Sequence, residues 1–214
     1  MKGWALRLRR ARRGGASVEF ALCLPVLMLL GMYGAEVAYM QSVNMQVSQL
    51  AISVADNASR LGQTDNSSVS PTITEIDVDA VMLGAINQGD PIRLSQRGRI
   101  ILSSLEKDAV TGKQYIHWQR CRGSLARTSV YGNDTTSNGL TGTAIAGLGS
   151  GSQQLAAASG SAVMFAEVYY QYQGLFGTLY TQPVTMKREA AFVIRDARNL
   201  TTGLTGGNSQ SPCS

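Results

Sequence analysis

Hydrophobic and polar positions divide this chain near residue 62. From Phe20 to Ala35 all 16 residues are apolar or small. Continued across Glu36 to Met40, the run reaches the roughly 20 residues that a membrane-spanning helix needs. Beyond Met40 the pattern becomes amphipathic. Val43, Val47, Leu50, Val54 and Leu61 recur at helical spacing, with Gln41, Ser42, Asn44, Gln46, Ser48 and Gln49 between them. Pro25 can kink a helix here, no proline follows before Pro71, and Gly62 is a natural stop. The spacing therefore predicts one helix from about Ser17 to Leu61, some ~65–70 Å long at 1.5 Å per residue. Its lower half is an anchor or filament core, and the stripe on its upper half packs most simply against the protein's own C-terminal domain, with a partner helix as the alternative.

The remaining pattern is that of a small mixed domain. Gln63–Pro71 is polar and reads as a linker. Thr74–Asn87 reads as a short helix with Thr74 as N-cap and acids in its first turn. Arg99–Leu105 and Gln114–Arg122 are strand candidates joined by Lys107–Lys113. Strict alternation in the second places Tyr115, His117, Gln119 and Cys121 on one face and Ile116, Trp118 and Arg120 on the other. Residues 123–160 are dominated by Gly, Ser, Thr, Asn and Ala without period, and read as a long, mobile surface excursion. Ser161–Tyr172 is the strongest strand signal, Gly174–Gly177 marks a turn, and Pro183–Val193 supplies the last strand. The predicted class is α+β: a long N-terminal helix, apolar and then amphipathic, laid on a small antiparallel sheet of about four strands. The expected organisation is a basic leader 1–14, a transmembrane helix 15–40, its amphipathic continuation 41–62, an outer domain 63–198 with loop 123–160, and a Gly-rich tail 199–214.

Charge changes this picture at one point. The formal net charge is +5, but Lys2, Arg7, Arg9, Arg10, Arg12 and Arg13 all precede Gly14 with no acid among them. Without them the chain is close to neutral, which argues against a nucleic-acid partner. Arg9, Arg10, Arg12 and Arg13 are expected to hold this end in the cytoplasm by the positive-inside rule. Cys23 lies in the apolar run and reads as a small buried hydrophobe. Cys121 and Cys213 lie in the polar body. A disulfide between them is the economical reading if that body is outside the cytoplasm, and two free thiols are the alternative.

Candidate chemistry is sparse. His117 is the sole histidine and has no Ser or Cys partner in a recognisable elbow. Asp77 and Asp79 lack a third metal ligand nearby, and acids in a first helical turn complement the helix dipole. The Gly-rich stretch has no GK[ST] sequence to make a phosphate loop. No cofactor, metal or small-molecule substrate is expected, and an enzyme is not the reading these residues favour.

The N-terminal stretch admits three readings. A secretory signal peptide would want small residues after the apolar run, but Tyr33-Gly-Ala-Glu-Val-Ala38 offers no suitable site. An uncleaved signal anchor of a periplasmic binding or envelope protein fits, yet it leaves Gly14, Gly15 and Glu19 unexplained. The third reading uses them all. With a cut between Gly14 and Gly15, Glu19 becomes the fifth residue and Phe20 the sixth, which resembles a class III, type IV pilin-type signal. Glycine at the scissile position lets the chain extend into a protease cleft. A carboxylate at the mouth of an apolar helix calls for a partner, and the amine freed at Gly15 of a neighbouring subunit is the one expected.

The stretch RRGGASVEFALCLPVLMLL resembles the TadE/TadF-like pseudopilins of tight-adherence (Tad, type IVb) pilus systems, through Gly14, Val18-Glu19-Phe20-Ala21 and Leu24-Pro25. Tyr115–Gly123, Glu167–Tyr172 and Arg188–Arg198 are similar to stretches of TadE-like proteins as well. The resemblance implies a pilin-like fold and a minor pilus component of the bacterial inner membrane, with a periplasmic or fibre-borne C-terminal domain. It also implies cutting by a prepilin peptidase, and other pilins, pseudopilins and the Tad assembly machinery as partners in pilus assembly or initiation for adherence.

Overall fold

A computed structural model describes residues 15–62, 70–152, 154–195, 197–207 and 211–213. Gly14, the arginines Arg9, Arg10, Arg12 and Arg13, and most of the predicted linker lie outside the described residues. The chain forms two compact units. One holds the described residues up to Ser42 together with Gln173–Gln182; the other holds Val43–Tyr172 and Pro183–Ser214.

Helix α1 runs Gly15–Ser59, with Pro25 inside it. The predicted stripe is real: in the second unit Val43, Val47 and Val54 are fully buried and Leu50 nearly so. The stripe ends earlier than the spacing suggests. Ala51, Ala55 and Ala58 complete the buried face, and Leu61 lies past the last helical residue. Gly62 turns the chain at a φ of 87°, where a side chain would be strained.

Helix α2, Glu75–Gln88, begins with a reciprocal cap. The Asp77 N–H donates to Thr74 Oγ1 (3.2 Å), and the Thr74 N–H donates to Asp77 Oδ2 (3.0 Å). Asp77 is thus committed to the helix start, while Ser211 Oγ donates to Asp79 Oδ1 (2.5 Å). A 3-10 turn, Asp90–Ile92, and a one-turn helix α3, Leu94–Arg97, lead into the sheet.

Four strands form one antiparallel sheet: β1 Gly98–Lys107, β2 Gln114–Arg122, β3 Ala162–Tyr172 and β4 Val184–Val193. Their order is β2-β1-β3-β4. The central pair is the most buried, since both its faces are covered. The α+β architecture of a long N-terminal helix packed on a four-stranded antiparallel sheet matches the expected class.

Two expectations are corrected. The first concerns β2. Its pairing with β1 shifts register between Ser104 and Leu105, so that Ser104 faces Trp118 while Leu105 faces Ile116. His117 is the extra residue of a bulge, and strict alternation fails there. Ile116 joins the Leu105, Val163 and Phe165 cluster. It therefore shares a face with Gln119 and Cys121, which pair with Ser103 and Ile101 two and four positions back along β1. Tyr115 and His117 turn to the other face, where both reach Glu106.

The second concerns residues 123–160. They do not form a bare surface excursion. Leu148 and Ala157 are buried against Leu105, Ile116, Val163 and Phe165, with Tyr131 and Ile145 packed beside them. The segment forms an irregular layer over one sheet face. Gln114 fastens it by donating to Ala157 O (2.9 Å) and accepting from Ala157 N–H (2.8 Å).

Candidate membrane-anchoring and assembly site

The first unit is built on the apolar part of α1. Gly15 opens the helix, and Glu19 follows one turn later on the same side. Both are exposed, as is Phe20. The helix contains an 18-residue window with a mean hydropathy of 1.9, none of it buried against protein. Val18, Leu22, Leu27 and Leu30 all point outward. Cys23 is exposed too, so its expected burial is not burial in protein. A surface of this extent is unfavourable in water, at about 25 cal/mol per Å² of apolar area. Length and composition suit a membrane.

Sequence reasoning passed over one feature of this unit. Glu36 is fully buried, and its partners come from the β3–β4 connection. Phe176 N–H donates to Glu36 Oε2 (3.1 Å), and the Thr181 hydroxyl donates to Oε1 (3.2 Å). A Cβ on Gly174 would lie 2.4 Å from Gly177 O and 2.8 Å from Glu36 Oε1, so glycine is required where the turn passes the carboxylate. Tyr180 extends this contact. Its hydroxyl donates to Leu29 O (3.4 Å), and its ring lies edge-on to Tyr33 and Phe176, with centroids 6.0 Å apart in both pairs. The available signals were an acid in an apolar helix and a hairpin connection, Leu-Phe-Gly-Thr-Leu-Tyr, unusually apolar for a turn.

In the second unit, Cys121 and Cys213 are joined by a disulfide (S–S 2.03 Å). Beside it Cys121 N–H donates to Ser211 O (2.8 Å). The tail also pairs with the start of α2, where Glu75 N–H donates to Thr205 O (2.9 Å).

Charged side chains here are paired rather than poised. His117 Nδ1 lies 2.9 Å from Glu106 Oε2. That hydrogen bond raises the imidazole pKa; burial opposes the rise and the Glu106 charge adds to it. Tyr115 shares the same carboxylate. Burial first, and then Glu106, pushes its phenol up to about 12. Arg120 forms an ion pair with Glu75. Lys187 bridges Glu167 and Glu189, and Glu189 also accepts from Tyr131 (2.8 Å) and Ser150 (2.5 Å) of the irregular layer. Burial alone would lower the Lys187 pKa, but the two carboxylates outweigh it and raise it. Among the described residues no group of three or more His, Cys, Asp or Glu side chains is arranged to hold a metal.

An exposed apolar helix that continues as the core helix of an α+β domain suits the class of membrane-anchored proteins with one folded domain. Within that class, residues 14–56 match the model of the TadE-like protein family. The match covers the apolar run and most of the amphipathic stripe, and stops short of α2 and the sheet. It associates this N-terminal segment with TadE-like proteins. No curated protein and no solved structure matches the chain.

Proposed function

We propose that this protein is a minor pilin or pseudopilin of a Tad-type pilus, acting in assembly or initiation of the fibre as a structural subunit. The observation that carries the reading is α1 itself. Its apolar half begins at Gly15, holds an 18-residue stretch with none of it buried against protein, and lies within the TadE-like match.

The parts then take distinct roles. Arg9, Arg10, Arg12 and Arg13 hold the leader in the cytoplasm, and the domain after α1 lies in the periplasm. A prepilin peptidase cuts between Gly14 and Gly15, and the apolar helix stays with the mature chain. The new Gly15 amine of one subunit neutralises Glu19 of another. An unpaired carboxylate is costly in an apolar bundle, so this pair sets the register of subunits, with Phe20 packing beside it. The Cys121–Cys213 disulfide fixes the tail in the oxidising compartment.

The test is piliation of a strain carrying Glu19→Ala. The variant is expected to insert and to be cut, because neither step needs the carboxylate pair, but to yield few pili. Wild-type pilus numbers in Glu19→Ala would refute the role given to Glu19.

A further inference from the structure

We propose that the β3–β4 connection, Gln173–Gln182, is a second membrane contact, entering the lipid interface of the leaflet opposite the leader beside α1. The inference rests on the reading of α1 as a membrane helix. It adds a lipid-binding surface to a part of the chain outside the family match.

Depth is the first argument. From Glu19, at the mouth of the apolar run, to Glu36 the helix rises roughly 25 Å at 1.5 Å per residue. A hydrocarbon core is about 30 Å thick. Glu36 therefore sits just inside the far boundary, where an ionisable group needs partners. It has them: the Phe176 N–H and the Thr181 hydroxyl both donate to its carboxylate, and Gly174 lets the backbone approach. The connection belongs to the same compact unit as the apolar helix.

Composition is the second argument. QGLFGTLYTQ contains no charged residue. It presents Leu175 and Leu179 outward, 53% and 64% exposed. Tyr180 and Phe176 cluster with Tyr33 of α1. By the same rise Tyr33 lies roughly 21 Å from Glu19, so this aromatic cluster sits on the lipid side of Glu36, with the Tyr180 hydroxyl satisfied by Leu29 O. The exposed leucines lie in the segment whose Tyr180 reaches Leu29 O, beside the exposed Leu29 and Leu30 of α1. Irregular backbone is excluded from the hydrocarbon centre by its unpaired polar groups. This segment therefore belongs at the interface, with its leucine side chains reaching the acyl chains. Because it carries no cation, its insertion should not depend on anionic lipid.

Glu36 acts as a positioning residue, holding the segment at that depth. The test uses the full chain with Cys23→Ser, reconstituted in phosphatidylcholine vesicles. Nitroxide labels are placed singly at Leu175→Cys, Leu179→Cys, Met28→Cys on α1 and Val110→Cys on the exposed β1–β2 turn. Collision with oxygen, which prefers lipid, is compared with collision with a water-soluble nickel chelate. Labels at 175 and 179 should favour oxygen several-fold over the Val110 label, as the Met28 label does. Loop labels that behave like Val110 while Met28 is lipid-like overturn the proposal and leave the membrane helix standing. A water-like Met28 label defeats the membrane reading of α1 and the proposal with it. Loop labels shielded from both reagents, with spin–spin broadening lost on dilution by unlabelled chain, would show that a second copy covers the loop, which also overturns it. Adding Glu36→Ala should move the 179 label toward the nickel chelate. An unchanged label would overturn the positioning role of Glu36.

Discussion

At the scale of single residues, the molecule pairs several buried and half-buried ionisable groups, among them His117 with Glu106, Arg120 with Glu75 and Lys187 with Glu167. The bulge at His117 turns that ring toward Glu106, which strict alternation would have kept on the opposite face of the sheet. The consequence is a pH dependence with a defined sign. The folded-state pKa of His117 is raised, through its hydrogen bond to Glu106 against the opposing effect of burial. The pair's stabilisation is therefore fully present below the unfolded imidazole pKa of about 6.5 and is lost as pH rises through the folded value. In urea titrations, His117→Gln should destabilise more at about pH 5.5 than at about pH 8.5. A gap that is constant across that range, or larger at the alkaline end, would contradict the pairing. The bulge was not legible in QYIHWQRCR because an inserted residue leaves the composition of a strand unchanged. Only the pairing partner on β1 reveals it.

At the scale of elements, legibility followed local pattern. The stripe from Val43 to Val54 stood out by its helical period, and the strands by short apolar, β-branched and aromatic runs between turn residues. The Thr74 cap was readable for the same local reason, as donor and acceptor lie three residues apart. Residues 123–160 have no period, and their burial rests on a few separate apolar residues. Leu148 is only 1% exposed. Leu148→Ala should cost about 2–4 kcal/mol, as for a core leucine. Val130→Ala, at an exposed site in the same segment, should stay within about 0.5 kcal/mol. Chemical denaturation of the two variants checks this, and equal small effects would restore the loose-loop expectation. The disulfide belongs to this scale as well, since it joins β2 to the tail across 92 positions. Cys213→Ser should lower stability by about 2–4 kcal/mol and abolish the mobility difference between reduced and non-reduced gels. A protein purified from the periplasm that shows no such difference even with both cysteines present would mean that the thiols are free there.

At the scale of the whole molecule, the chain combines two solvents. The amphipathic half of α1 is solvated on one side and buried on the other, as in any core helix. The apolar half has no protein over it except the β3–β4 connection at Glu36, Tyr33 and Leu29, and its exposed surface suits lipid or the packed helices of a fibre. That division was visible in the hydropathy pattern. The contact between Glu36 and the β3–β4 connection was not, because its donors lie 140 and 145 positions away and each segment alone looks ordinary. The TadE-like match begins at Gly14, beside the bond on which the proposed life of the molecule turns. In that proposal the protein before the cut is a bitopic anchor with a basic leader, and afterwards it has a free amine one helical turn from Glu19 and can join a fibre. The most direct measurement is the mature N-terminus, determined by mass spectrometry after co-expression with an active cognate prepilin peptidase. The account predicts a chain that begins at Gly15 and a Gly14→Ala variant that is cut more slowly. A chain that keeps residues 1–14 in the presence of that peptidase would contradict it.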